Sequence, residues 1–147
     1  MTLLSDFEVI RKNAVVIGEG TGPLVVKFST GGVNNTLPAI LLFAVSGLTI
    51  VDPATAPQVK VNGVDIGRIS PYPGSSTGEL TEESMAWYTQ HLVIPSTAKL
   101  DPVNANGNTL EITRADLGIV LQPPNPNPGQ FDDFQVRDIV CFFRQPS

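Results

Sequence analysis

The stretch QVKVNGVDIGRI, Gln58 to Ile69, decides the fold. Val59 and Val61 alternate with polar residues, the period of a half-buried strand. Asn62-Gly63 follows at once, the dipeptide that best tolerates the positive backbone φ of a two-residue hairpin turn. Asp65 to Ile69 then carries the chain back. The stretch predicts a β-hairpin.

Moving outward, the same grammar recurs. Upstream, Ala39 to Val45 and Leu48 to Val51 are strongly apolar and read as core strands, broken by Asp52-Pro53. Pro23 to Ser29 is a strand closed by Gly31-Gly32. Ala14 to Ile17 and Phe7 to Ile10 are earlier strands, with a turn at Gly18 to Gly22. Downstream comes a polar loop, Ser70 to Gly78, and then Thr81-Glu82-Glu83, which could cap a helical turn. Trp87 to Ile94 is a strand stopped by Pro95. Asn106-Gly107-Asn108 is a turn before the strand Thr109 to Thr113. Leu117 to Leu121 is another strand, and Pro123 to Gly129 a surface loop whose prolines remove the amide donors a sheet needs. Phe134 to Arg144 is the final strand. Many short strands punctuated by turns predict an all-β, antiparallel two-sheet sandwich, one domain over residues 1–147.

Composition agrees. Of 147 residues, 41% are apolar and 16% charged, with 13 Gly and 13 Pro, which suits strands and turns better than helices. A net charge of −5, with Arg11-Lys12 the densest basic run, argues against nucleic acid and against anionic membrane surfaces. The longest apolar stretch, Leu37 to Val51, is too short and too interrupted to span a bilayer. The first 13 residues hold Asp6 and Glu8 and no apolar run, so no secretory signal is expected and the cytosol is the default compartment. The lone Cys141, inside an apolar strand, is expected to be a buried, unreactive thiol.

Val59 to Arg68 resembles the V-x-V-N-G-x-x-V-G hairpin of galactose-binding-like jelly-roll domains. Ile94-Pro95, Leu100 and Gly107-Asn108-Thr109-Leu110-Glu111-Ile112 are similar to the stretch that follows it there, in the same order and spacing. The resemblance covers roughly Ala39 to Ile112. It implies a jelly-roll sandwich of lectin-like type. Such domains often bind sugars through loops at one end, and many instead serve as accessory or assembly modules. Such domains often hold a structural calcium joining first and last strands, for which Asp132, Asp133 and Asp138, with an N-terminal acid such as Asp6 or Glu8, are the candidate ligands; no other cofactor is expected.

No catalytic centre is expected. Gly74-Ser75-Ser76-Thr77-Gly78 matches Gly-x-Ser-x-Gly, but a nucleophile elbow needs a core strand before it and a helix after it. His91 is the only histidine, which with one cysteine also makes a zinc site unexpected. Glu79, Glu82 and Glu83 offer carboxylates without a defined glycosidase pair. Asp101 to Gly107 resembles a calcium loop but has Val103 where a ligand is required. Gly18 to Gly22 leads into a strand, not the helix a dinucleotide site needs. Asn34-Asn35-Thr36 reads as an accidental glycosylation sequon.

A sugar site needs an aromatic face and a few fixed polar groups. Trp87, Tyr88, Tyr72, His91, Asn62 and Arg68 are the candidates, if the Ser70 to Gly78 loop folds over the hairpin. On the strand Trp87 to Ile94, Tyr88, Gln90, Leu92 and Ile94 are expected to face inward, and Trp87, Thr89, His91 and Val93 outward. The leading expectation is therefore a non-catalytic, carbohydrate-binding module. The alternative is a structural module that self-associates or docks on a larger protein complex.

Overall fold

The computed structural model describes residues 3–18, 20–48, 55–71, 86–116 and 131–146. Eleven strands are assigned among them: β1 Leu3–Arg11, β2 Val15–Ile17, β3 Leu24–Phe28, β4 Ala39–Ser46, β5 Gln58–Val61, β6 Val64–Arg68, β7 Tyr88–Ile94, β8 Asn108–Ile112, β9 Ala115–Asp116, β10 Phe131–Asp132 and β11 Phe134–Pro146. The helical element among the described residues is a 3-10 turn, Ser96–Ala98. No helix there is long and apolar enough to cross a membrane.

The strands form two antiparallel sheets facing each other, as the alternating pattern predicts. The larger runs β1-β11-β4-β7, with β2 pairing the start of β11 beyond the end of β1. The smaller runs β3-β8-β5-β6, and β9 pairs β10 as a separate ribbon. One apolar cluster fills the space between the two sheets. Leu41, Phe43 and Val45 of β4 and Phe134, Val136 and Ile139 of β11 come from one side, Val59, Val61, Leu110 and Ile112 from the other. Burying each such side chain contributes about 1.5–3 kcal/mol, so the core carries most of the driving force.

The hairpin that decided the fold forms as read. Asn62 and Gly63 take φ of 52° and 80°, and β5 pairs β6 on either side. The pairing of β11 with β4 slips between Arg137 and Val140, so Asp138 and Ile139 together face one residue of β4. Asp138 sits at this bulge with φ of 52°. The slip lets Arg137 point outward while Ile139 returns to the core.

Several expectations shift at their edges. The first strand runs from Leu3 rather than Phe7. Leu48 is buried but lies beyond the end of β4. The rest of the expected strand Leu48 to Val51, the cap at Thr81, the strand Leu117 to Leu121 and the loop Pro123 to Gly129 lie outside the described residues, as do Tyr72 and Ser76.

Candidate binding surfaces

The inner faces of both sheets are consumed by the core, so recognition must use outer faces, edges or loop ends. The outer face of the larger sheet stands out. Register places Phe7 opposite Phe142, Phe142 opposite Ile40, and Ile40 opposite Val93. One row of apolar side chains thus crosses β1, β11, β4 and β7. Their relative exposures are 59%, 41%, 44% and 52%. The rings of Phe7 and Phe142 lie 6.1 Å apart, tilted by 39°. The next row is Val9, Val140, Leu42 and His91. Two adjacent rows therefore hold seven apolar side chains and one histidine. A contiguous apolar patch of this kind makes the face a candidate interaction surface.

Charge is confined to the ends of this face. At one end Arg144 lines a cleft of about 390 Å³ with Ser5, Pro38, Ile40, Val93 and Phe142. Its guanidinium has no hydrogen-bond or ion-pair partner among the described residues. At the other end the Arg137 guanidinium carbon lies 3.8 Å from the centroid of the Trp87 ring. Its Nε is 3.5 Å from Asp138 Oδ2. Such an exposed pair is worth little by itself, about 0–1 kcal/mol.

The candidate sugar residues fall into two groups. Along β7 burial alternates as expected, with Tyr88, Gln90 and Leu92 half-buried, Ile94 buried, and Thr89, His91 and Val93 exposed. Gln90 holds Ser70 from both sides, donating to its carbonyl and accepting from its amide at 3.0 Å each. Trp87, Tyr88 and Arg68 therefore lie toward the same end of the sandwich. Arg68 is engaged there, its Nη1 donating to the Ala56 carbonyl at 2.7 Å. Asn62 is at the opposite end of the β5–β6 hairpin. Its Nδ2 donates to the Ala98 carbonyl and to Asn108 Oδ1, and its Oδ1 accepts from the Thr109 amide. Asn62 lines an open cleft of about 760 Å³ with Asn35, Thr97, Lys99 and Asp101. Asn35 and Asn62 spend their amides on neighbouring backbone and on Asn108, and Thr97 and Lys99 add a hydroxyl and an ammonium to the lining.

Asp101 is the pivot of that end. Its carboxylate accepts from the amides of Val103 and Asn104 and from the Asn104 side chain. These bonds hold it below the usual carboxylate range. Asp65 is lowered likewise, by Gln58 and the Gly67 amide.

The candidate calcium ligands are spread along the chain. Asp132 is in β10, paired with Ala115, and Asp133 packs against Gly18. Asp138 is five residues further along, at the β11 bulge. Among the described residues no group of three His, Cys, Asp or Glu could hold a metal ion. Cys141 is buried, and desolvation with the nearby Glu8 charge pushes its thiol up to about 12.

No family model matches the chain. No curated protein matches it either. Among solved structures it is similar to BpGH86A, a β-porphyranase of glycoside hydrolase family 86 from the human gut bacterium Bacteroides plebeius, at 10% identity and a TM-score of 0.45 over 97% of this chain. It is also similar to BuGH86 in complex with neoagarooctaose, at 10% identity and a TM-score of 0.37 over 99% of this chain. The chain spans about a fifth of the length of these proteins, 21% and 19% respectively.

Proposed function

We propose that the chain is a non-catalytic assembly module that buries the outer face of its larger sheet against protein. The observation that carries this reading is the half-exposed row Phe7, Phe142, Ile40 and Val93, continuous over four strands. A sugar pocket is concave and polar at its contact points, whereas this face is broad and apolar, the makeup of a protein–protein contact core.

Carbohydrate binding is a second reading. It rests on the open polar cleft beside Asn62, lined by Asn35, Thr97, Lys99 and Asp101. Trp87, Thr89 and His91 offer a ring and polar groups at a separate place. One experiment separates the readings. Backbone amide shifts are followed by NMR as protein concentration rises, and again as a glycan set is added. The assembly reading expects concentration-dependent shifts along Phe7, Ile40, Val93 and Phe142 and none with glycans. Glycan-induced shifts at Thr97 and Lys99, or at Trp87 and His91, with a concentration-independent spectrum, would replace it with the carbohydrate reading. Trp87→Ala would then tell which end binds.

A further inference from the structure

The outer face of the larger sheet steps down at one end. Beside the tall row Phe7, Phe142, Ile40 and Val93 runs a low one, where Ser5 lies opposite Arg144 and Pro38 lies just beyond the last pair of β4, Ile40 with Phe142. The short side chains of Ser5 and Pro38 leave the cleft of about 390 Å³, walled by Phe142, Ile40 and Val93. Its size is that of a small-molecule site, about 300–1,000 Å³. Arg144 is the one charged residue in its lining among the described residues. No acid of the sheet stands on this side to meet it. On β1, alternation turns Ser5, Phe7 and Val9 outward and Asp6 and Glu8 to the other side. Asp6 Oδ1 accepts from the Phe7 amide at 2.8 Å, and the Glu8 charge is felt by the Cys141 thiol. Neither β4 nor β7 contains an acid. The one acid of β11, Asp138, is six residues away and sits 3.5 Å from Arg137. The chain's other four arginines are all engaged. Arg11 Nε donates to the Asn13 carbonyl and Arg68 Nη1 to the Ala56 carbonyl, Arg137 stacks on Trp87, and Arg114 has a partner of its own.

We infer that this cleft binds a small organic monocarboxylate, its carboxylate on the Arg144 guanidinium and its apolar body, an aryl or branched alkyl group, against Phe142, Ile40 and Val93. A guanidinium presents its donors as a planar fork that takes both oxygens of a carboxylate at once. Apolar walls beside it thin the water around the pair and strengthen the attraction. One cation matches one negative charge. A dianion such as phosphate would bring a second charge against Ile40, Val93 and Phe142, where nothing offsets it. The Ser5 hydroxyl, across the strand pair from Arg144, is a further donor on the same side. The Phe142 ring, 41% exposed, gives an aromatic body a surface to lie on. The cleft takes such a ligand whether or not the rest of the face meets a protein.

The test uses the full chain, at a concentration low enough that its amide spectrum does not change on dilution. The probes are 3-phenylpropionate, its uncharged amide 3-phenylpropanamide, and acetate, which has the carboxylate without the apolar body. Titration with 3-phenylpropionate is expected to shift the amides of Ser5, Ile40, Val93, Phe142 and Arg144. The amide and acetate are each expected to bind about tenfold or more weakly. Arg144→Gln keeps the β11 backbone and a polar side chain of similar reach. It is expected to bring the acid down to the affinity of the amide, about a tenfold loss, and to leave the amide's own affinity unchanged. Val93→Ser is expected to weaken acid and amide alike, by about threefold or more. No shift at these residues up to about 10 mM 3-phenylpropionate would overturn the site. An amide that binds the wild type as tightly as the acid, or a preference for the acid that survives Arg144→Gln, would overturn the role of the guanidinium. Acetate binding as tightly as 3-phenylpropionate would overturn the apolar half of the ligand.

Discussion

Asn108 is fully buried and serves four partners. Its Nδ2 donates to the Phe28 carbonyl and to Thr30 Oγ1, and its Oδ1 accepts from Asn62 Nδ2 and the Asp101 amide. Losing one side chain orphans several buried groups, so Asn108→Ala is expected to cost about 2–4 kcal/mol in a urea melt. Asn62 was legible as a turn residue because the Asn-Gly signal is local. Its side-chain net was not, because Ala98, Lys99 and Asn108 come from chain 36–46 residues away. Cys141 was legible as buried, and its pKa gives a pH prediction. The unfolded thiol ionises near 9.0 and the folded one near 12. This thiol therefore leaves stability intact below 9 and lowers it as pH rises from there toward 12. The native thiol is expected to resist alkylation at neutral pH, and rapid labelling of folded protein would contradict that burial.

At the scale of elements, β6 and β7 close one side of the sandwich through a tight contact. A Cβ on Gly67, whose φ is 139°, would stand 3.0 Å from Leu92 Cδ2. Gly67→Val is expected to destabilise by about 1–3 kcal/mol, from overpacking and a backbone conformation closed to β-branched residues. A thermal melt checks this. Gly18 is as constrained, since a Cβ there would lie 2.8 Å from the Asp133 backbone. The strands β4, β5, β7 and β8 were readable almost to the residue, because each alternates or is uniformly apolar between strong turn signals. The β11 bulge was not readable, because Arg137-Asp138-Ile139 shows no local break in pattern. Its signal is the slip against β4, set by a strand about 95 residues earlier.

At the scale of the whole molecule, the two sheets were legible, and the outer face was not. Phe7 and Phe142 are each unremarkable in sequence. They become a surface only when β1 pairs β11 and brings residues 135 positions apart side by side. The sequence pointed instead to Trp87 and its neighbours, because rarity and aromatic character are visible without a register. Since both rings are only half-buried in the single chain, Phe7→Ser with Phe142→Ser is expected to cost about 1–3 kcal/mol and leave the chain folded. The same pair of changes is expected to abolish association.

Sedimentation velocity of the wild type and of the Phe7→Ser, Phe142→Ser variant, over a concentration series, tests the central claim most directly. The account predicts a wild type that rises above the mass of one chain, 15.7 kDa, and a folded variant that remains a single chain throughout. An association unaffected by the two substitutions, or a wild type that never associates, would contradict it.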